Sequence, residues 1–376
     1  GFITELIDQD IYYDYIDYVE NYQSNFNQSI KIKSLNKQQI SEKEEEEEKD
    51  EEKIVEKIEE KVVEKIVEKD EENDIEAIFT LGKKYMEGDG VPIDKSKAAE
   101  YLKQASEKGH SNATYFYAQM LSIGDGVEKD QKEAARYFKI AADNGCIESM
   151  YKYAGILHNG DGIPVDKKEC IRYTKMAADK GQIDAMHIYA HMLDKGDGIT
   201  MNKEEAAKYY KMAADKGQID AMNKYAGMLS HGKGVPVDKA ESLRYYKMAA
   251  EKGQIDAMYK YAVALFHGKG VSVDKKEANR YYKMAADKGN ADAMLNYAYM
   301  RDNGDGIPVD KKEAARYYKM AIDKGNADAM LNYAYMRDNG DGIPVDKKEA
   351  ARYYKMAIDK GNADAMLNYA YMRDNG

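Results

Sequence analysis

From Asn73 to the end of the chain, apolar residues recur three and four apart in short runs, and each run stops at a glycine. In "IDAMNKYAGMLSH" at 219–231 this spacing gathers the apolar side chains on one face of a helix. The pattern returns every 36 residues: glycine pairs stand at Gly88/Gly90, Gly124/Gly126, Gly160/Gly162 and Gly196/Gly198, and the step continues to Gly340/Gly342. A second series, Gly109, Gly145, Gly181 and onward to Gly361, keeps the same period. A fixed period of this length predicts stacked helical units rather than one globular core. Eight units fill 73–360, and 361–376 begins a ninth.

Positions are counted from 1 at Asn73, Gly109, Gly145 and each later unit start. Positions 3–15 predict a first helix, which glycine at position 16 ends by accepting a left-handed conformation. Glycine at position 18 is expected to let the chain reverse, so both series of the pair read as structural turn glycines. Positions 23–36 predict a second helix that buries positions 26, 30 and 34, usually alanine, tyrosine and alanine. Its start carries a capping-box signature in seven of eight units, as in Asp130/Glu133, Asp166/Glu169 and Asn202/Glu205. Only Asp94, followed by Lys97, lacks the glutamate.

Upstream the pattern changes. Residues 1–24 show helical spacing from Ile3 to Tyr22 and read as the helical remnant of a truncated region. Residues 25–53 read as a linker with an acidic low-complexity segment, and 54–72 as a charged helix in which Ile54, Ile58, Val62 and Ile66 form one stripe. That stripe is short for a coiled coil. The chain opens on Gly1 and stops inside a unit at Gly376, which reads as a fragment.

Charge separates the two parts. Residues 1–72 hold 10 Lys/Arg against 23 Asp/Glu, a net of −13, whereas 73–376 hold 47 against 45, a net of +2. A nearly neutral array lacks the clustered cations of a nucleic-acid surface. No run approaches the roughly 20 apolar residues of a membrane-spanning helix. Two cysteines, Cys146 and Cys170, make no disulfide framework and read as ordinary thiols.

The stretch "GDGIPVDKKEC" at 160–170 invites comparison with ligand-binding loops. A dinucleotide fingerprint needs a third spaced glycine, a phosphate loop needs Gly-Lys-Ser/Thr, and a calcium loop needs a closing glutamate twelve positions along. None is met, and a motif present in every unit is architecture first. His187 and His191 stand four apart in "HIYAH" without the carboxylate of a zinc-protease helix, so a groove-lining pair is favoured over a metal site. In the Tyr-Tyr pairs, such as Tyr209/Tyr210, helical spacing places one ring in the core and its neighbour at the rim. No cofactor is expected.

The first unit carries Ala77, Leu81, Gly82 and Tyr85, then Gly88, Gly90, Val91, Asp94 and Ala98. This pattern resembles the Sel-1-like repeat, a relative of the tetratricopeptide repeat, over the array of 73–376. Later units place Tyr, Ala and Leu at positions 9, 10 and 13, which stay apolar; Arg301, Arg337 and Arg373 at position 13 depart further, with a stem on the core and a head in water. The resemblance implies an all-α, right-handed α-solenoid of antiparallel helix pairs, with the first helix of each unit lining a concave face. It also implies a non-enzymatic adaptor that binds a protein or peptide there; a cytoplasmic location is expected. The alternative is the regulatory or substrate-docking region of a larger enzyme, a kinase or ubiquitin-ligase component, whose catalytic domain lies elsewhere.

The expected contact residues are Tyr115, Tyr151, His187, Asn223, Tyr259, Leu295 and Leu331 at position 7, and Gln119, His191, Tyr299 and Tyr335 at position 11. Acids at position 4 are read as complements to the helix dipole. Weak self-association is expected through the 54–69 helix or the half repeat at 361–376. Residues 289–324 and 325–360 are identical.

Overall fold

The computed structural model describes residues 75–375; the elements expected within 1–72, including the 54–69 helix, lie outside the described residues. All described regular structure is helical. The pairs are α1 (Ile75–Glu87) and α2 (Lys95–Glu107), α3 (Ser111–Ile123) and α4 (Gln131–Asp143), α5 (Ile147–Asn159) and α6 (Lys167–Asp179), and α7 (Ile183–Lys195) and α8 (Lys203–Asp215). They continue with α9 (Ile219–His231) and α10 (Lys239–Glu251), α11 (Ile255–His267) and α12 (Lys275–Asp287), α13 (Ala291–Asn303) and α14 (Lys311–Asp323), and α15 (Ala327–Asn339) and α16 (Lys347–Asp359), before a single α17 (Ala363–Asn375). Each helix packs on its pair mate and on the next unit, which makes an all-α solenoid.

The first helices span the expected positions 3–15. The second end one residue early, at position 35, because position 36 caps the helix and the following glycine turns the chain, as Lys216 and Gly217 (φ 98°) do. Glycine at position 16 is left-handed in every pair, as in Gly232 (φ 68°). It also closes the helix: the N–H groups of Gly124 and Gly196 donate to Met120 O and Met192 O, each at 2.8 Å.

Glycine at position 18 lies, as expected, in the bend that reverses the chain between the paired helices. Gly90, Gly126, Gly162 and Gly198 are left-handed too, with φ of 75°, 74°, 75° and 71°. They stand in an open bend beyond the hydrogen-bonded turn. That turn is completed one residue earlier, where Asp125 N and Asp197 N donate to the same Met120 and Met192 carbonyls at 3.1 Å. Among the described residues, none of these four glycines donates or accepts a turn-closing backbone bond. Position 16 closes the hydrogen-bonded turn, and position 18 carries the bend onward and also serves the junction with the preceding unit.

The capping box forms by half. In all eight units the side chain at position 22 accepts from the N–H at position 25, at 2.8–3.1 Å, and Asp94 does so for Lys97 without a glutamate. The return bond is absent because the N–H at position 22 is already used: Asp130 N donates to Leu121 O at 3.0 Å and closes the loop. The glutamate instead grips the arginine at position 28, as in Glu241–Arg244 at 2.6 Å. That guanidinium lies over the adjacent tyrosine ring, 4.3 Å from the Tyr245 centroid.

Contrary to the core-and-rim expectation, both tyrosines of each pair are buried, Tyr209/Tyr210 and Tyr281/Tyr282 among them. The first packs edge-on against the tyrosine at position 9, with centroids 4.9 Å apart for Tyr189–Tyr209, and the second fills the inter-helix core. Nor do Arg301 and Arg337 send their heads to water. Arg301 Nε sits 2.7 Å from Glu313 and 3.1 Å from the Tyr297 hydroxyl, and Arg337 repeats this with Glu349 and Tyr333. The glutamate that other units give to position 28 is claimed here by position 13; of the three arginines only Arg373 is exposed.

Units interlock in two ways. The tyrosine at position 29 donates to the aspartate at position 35 of the preceding unit, as Tyr173 does to Asp143, Tyr245 to Asp215 and Tyr317 to Asp287, each at 2.5 Å. Tyr209 bonds Asp179 in the same manner. A lysine at position 31 holds the same carboxylate, Lys211 reaching Asp215 at 2.7 Å. Burial pushes the Asp215 carboxyl up, but the bonds from Lys211 and Tyr245 outweigh it and hold it below the usual carboxylate range.

The second lock is backbone proximity at position 18. A Cβ on Gly234 would fall 2.1 Å from Lys203 O, and one on Gly126 would fall 2.2 Å from Lys95 O. At Gly198 the nearest atom is instead Ile171 Cδ1 at 3.0 Å, the end of a side chain that can move. Gly90 shares that loop position but faces open space.

Gly90→Ala should therefore cost only the left-handed strain, about 1 kcal/mol, while Gly234→Ala must also displace backbone and should cost more than about 2 kcal/mol. Chemical denaturation of the two variants checks this, and equal losses would refute the close-approach account. Tyr245→Phe should cost about 1 kcal/mol, below the usual worth of a bond to a charged group because Asp215 is 44% exposed. The contribution of these depressed aspartates is full above the unfolded carboxylate range and is lost as pH falls below about 4. Melting curves of Tyr245→Phe should thus converge on those of the parent chain under acid conditions.

Candidate functional site

The first helices present a graded surface. Positions 5, 6, 9 and 10 are buried in most units, position 7 is half-buried, and positions 4 and 11 face outward in most units. Position 7 therefore forms a floor, not the freely exposed row expected from the sequence, because its side chains rest on the core aromatic at position 30. Tyr115 meets Phe138 at 6.0 Å between centroids, His187 meets Tyr210 at 5.7 Å and Tyr259 meets Tyr282 at 6.0 Å. Tyr151, Leu295 and Leu331 are likewise packed against the core. Asn223 is only 6% exposed, and its amide oxygen accepts from Lys260 Nζ at 3.2 Å. Burial pushes that ammonium's pKa down.

Position 11 does stand out in part. Tyr299 and Tyr335 are 46% and 51% exposed and His191 is exposed, whereas Gln119 is half-buried and donates to the Tyr115 hydroxyl at 2.7 Å. His187 and His191 share a helix but not an environment: the first is packed inward, the second is outside. Among the described residues no group of three or more His, Cys, Asp or Glu side chains is placed to hold a metal ion, and no helix is long and apolar enough to cross a membrane. Both cysteines are free and buried; Cys146 sits at a helix start without capping it.

Acids at position 4 lie in the first turn of their helices, where the dipole favours them. They also reach the next unit. Asp292 accepts from Asn326 at 3.3 Å and Asp328 from Asn362 at 2.7 Å.

A hollow of about 330 Å³ on this face escapes the sequence reading; it is lined by Phe266, His267, Tyr282, Leu295, Asn296, Tyr299, Met300, Asp328 and Asn332. It spans three consecutive first helices, α11, α13 and α15. The one signal available was Phe266-His267 at positions 14 and 15, where the next two units carry aspartate and asparagine.

The Sel1 repeat model matches eight consecutive segments, 75–110, 111–146, 147–182, 183–218, 219–254, 255–290, 291–326 and 327–362. Among solved structures, the chain is similar to a protective antigen of uropathogenic Escherichia coli strains that displays an SLR fold, at 25% identity and a TM-score of 0.72, covering 80% of this chain. It spans 65% of the length of that protein. It is also similar to a Sel1 repeat protein from Oxalobacter formigenes, at 26% identity and a TM-score of 0.58, covering 80% of this chain and 86% of the other. No curated protein matches the chain by sequence.

Burial holds the His187 imidazole below its usual pKa, and its Nε2 and the neighbouring Tyr210 hydroxyl are buried without partners. Asp220 opposes this shift, while His191 and Lys224 add to it. The unfolded chain thus binds this proton more readily, so the stability due to neutral His187 is full above about pH 6.5 and declines as pH falls. His187→Phe keeps a ring against Tyr210 and should flatten the drop in melting temperature between about pH 7 and pH 5. An unchanged pH profile in that variant would show that another group titrates.

Proposed function

The chain belongs to the Sel1 repeat family, whose solenoids generally serve as scaffolds for protein–protein interaction, and from this premise we propose that it holds a protein or peptide partner on the face of its first helices. The observation that carries this reading is the strip made by Tyr299 and Tyr335 above the half-buried Leu295 and Leu331. An exposed aromatic over an apolar floor is the arrangement of interface hot spots, where burial of a tyrosine against a partner yields large affinity with little ordering cost. The same positions differ among units, with histidine, glycine and valine in place of tyrosine, while the turn glycines do not change. A surface that varies over an invariant frame suits a partner of irregular shape.

Replacing Tyr299 and Tyr335 together by alanine should weaken capture of the partner by at least about tenfold, the usual cost of removing an interface aromatic. Thermal melting should stay close to that of the parent chain, because both rings are about half in solvent. Photo-crosslinking from His191 and from the second helices gives the comparison: undiminished capture in the double variant would place the docking surface elsewhere.

A further inference from the structure

The hollow beside Tyr299 has a chemistry more specific than the face as a whole. Its floor is apolar, formed by Phe266, Tyr282 and Leu295, and its volume of about 330 Å³ lies at the small end of the about 300–1,000 Å³ range of ligand pockets. Among the described residues no lysine or arginine lines it; Asp328 supplies its carboxylate and His267 an imidazole. Among the described residues Asp328 accepts one hydrogen bond, from Asn362, and has no ion-pair partner. This sets it apart from acids elsewhere in the unit: position 35 carboxylates such as Asp287 and position 25 carboxylates such as Glu277 are tied to lysine or arginine.

We propose that this hollow takes one bulky apolar side chain of an extended peptide in which a lysine or arginine stands next to it, the cation meeting Asp328 and the exposed ring of Tyr299. The inference rests on the reading of this face as a docking surface. Charge selects the occupant. A cation beside the apolar anchor meets the carboxylate and the tyrosine face together. The next junction does not repeat this anchor point even though 289–324 and 325–360 are identical. Where Phe266 and His267 close the hollow, the next junction has Asp302 and Asn303, and Asp302 is paired to Lys311 at 2.6 Å.

The test is selection from a phage-displayed library of random peptides against the full chain, followed by affinity measurement on synthetic copies of the enriched sequences. The expected consensus is a leucine, methionine or phenylalanine adjacent to lysine or arginine. Binding should fall about tenfold in Tyr299→Ala, several-fold in Asp328→Asn with a shallower salt dependence, and not at all in Asp184→Asn, a position 4 acid remote from the hollow. Peptides that depend on Tyr299 but show no basic consensus and ignore Asp328→Asn would overturn this proposal and leave the docking face standing. An equal loss in Asp184→Asn would reduce it to general attraction and overturn it as well. Enriched peptides indifferent to Tyr299 and Tyr335 would remove both readings.

Discussion

Everything in the array depends on how closely one unit's loop can lie against the helix start of the unit before it. At Gly126, Gly162 and Gly234 the approach leaves no room for a Cβ against Lys95, Gln131 or Lys203, so neighbouring units meet there through backbone. Backbone contact of this kind has no rotamers to adjust. It fixes the register between units, and the longer side chains above it then find the same partners each time. Gly198 is the looser case, since only the tip of Ile171 crowds it. The recurring aspartate just before glycine at position 18 uses the register so fixed: Lys275 reaches Asp305 at 2.5 Å and Lys311 reaches Asp341 at 2.8 Å. Such exposed pairs contribute little by themselves. Their regularity follows from the loop rather than causing it.

With register fixed, burial is shared between neighbours. Alanines at positions 26 and 34 let helices approach, and tyrosines at positions 29 and 30 fill the space on both sides of the second helix. A buried tyrosine is least costly where its hydroxyl finds a partner or an edge. Position 29 finds one in the preceding unit's aspartate, whereas the Tyr210 hydroxyl at position 30 has none. Polar satisfaction is thus concentrated at the junctions between units, and the interior of each unit stays nearly apolar.

Helix positions, the left-handed glycines and the family were legible in the sequence because each rests on local chemistry: periodicity, glycine's conformational freedom and an N-cap aspartate. The misreadings concern choices between partners. Glutamate at position 25 had a plausible local bond and instead took Arg244 or Arg301, since the competing N–H was already committed to a carbonyl of the first helix, Leu121 O in the case of Asp130. At position 18 the turn was legible but the second role was not, because a sequence shows that Gly126 can turn and not that it touches Lys95 of the unit before. Row 7 reads as open because nothing local tells whether Asn223 faces solvent or Lys260 of the next unit. The hollow at Phe266 needs four helices at once, so no single unit encodes it.

The tyrosine–aspartate bond is not present at every junction. Where position 35 is glutamate, as at Glu107 and Glu251, the carboxylate is one methylene longer. Among the described residues, the bonds that form are those of Tyr173, Tyr209, Tyr245 and Tyr317. The first three join the units from 109 to 252 into one linked run, and Tyr317 joins 253–288 to 289–324. The seam after Glu251 lies between these runs. There α10 still packs on α11 as at other junctions and Gly270 still lies against Lys239, so a seam without the tyrosine–aspartate tie loses a polar fastening and keeps its footing.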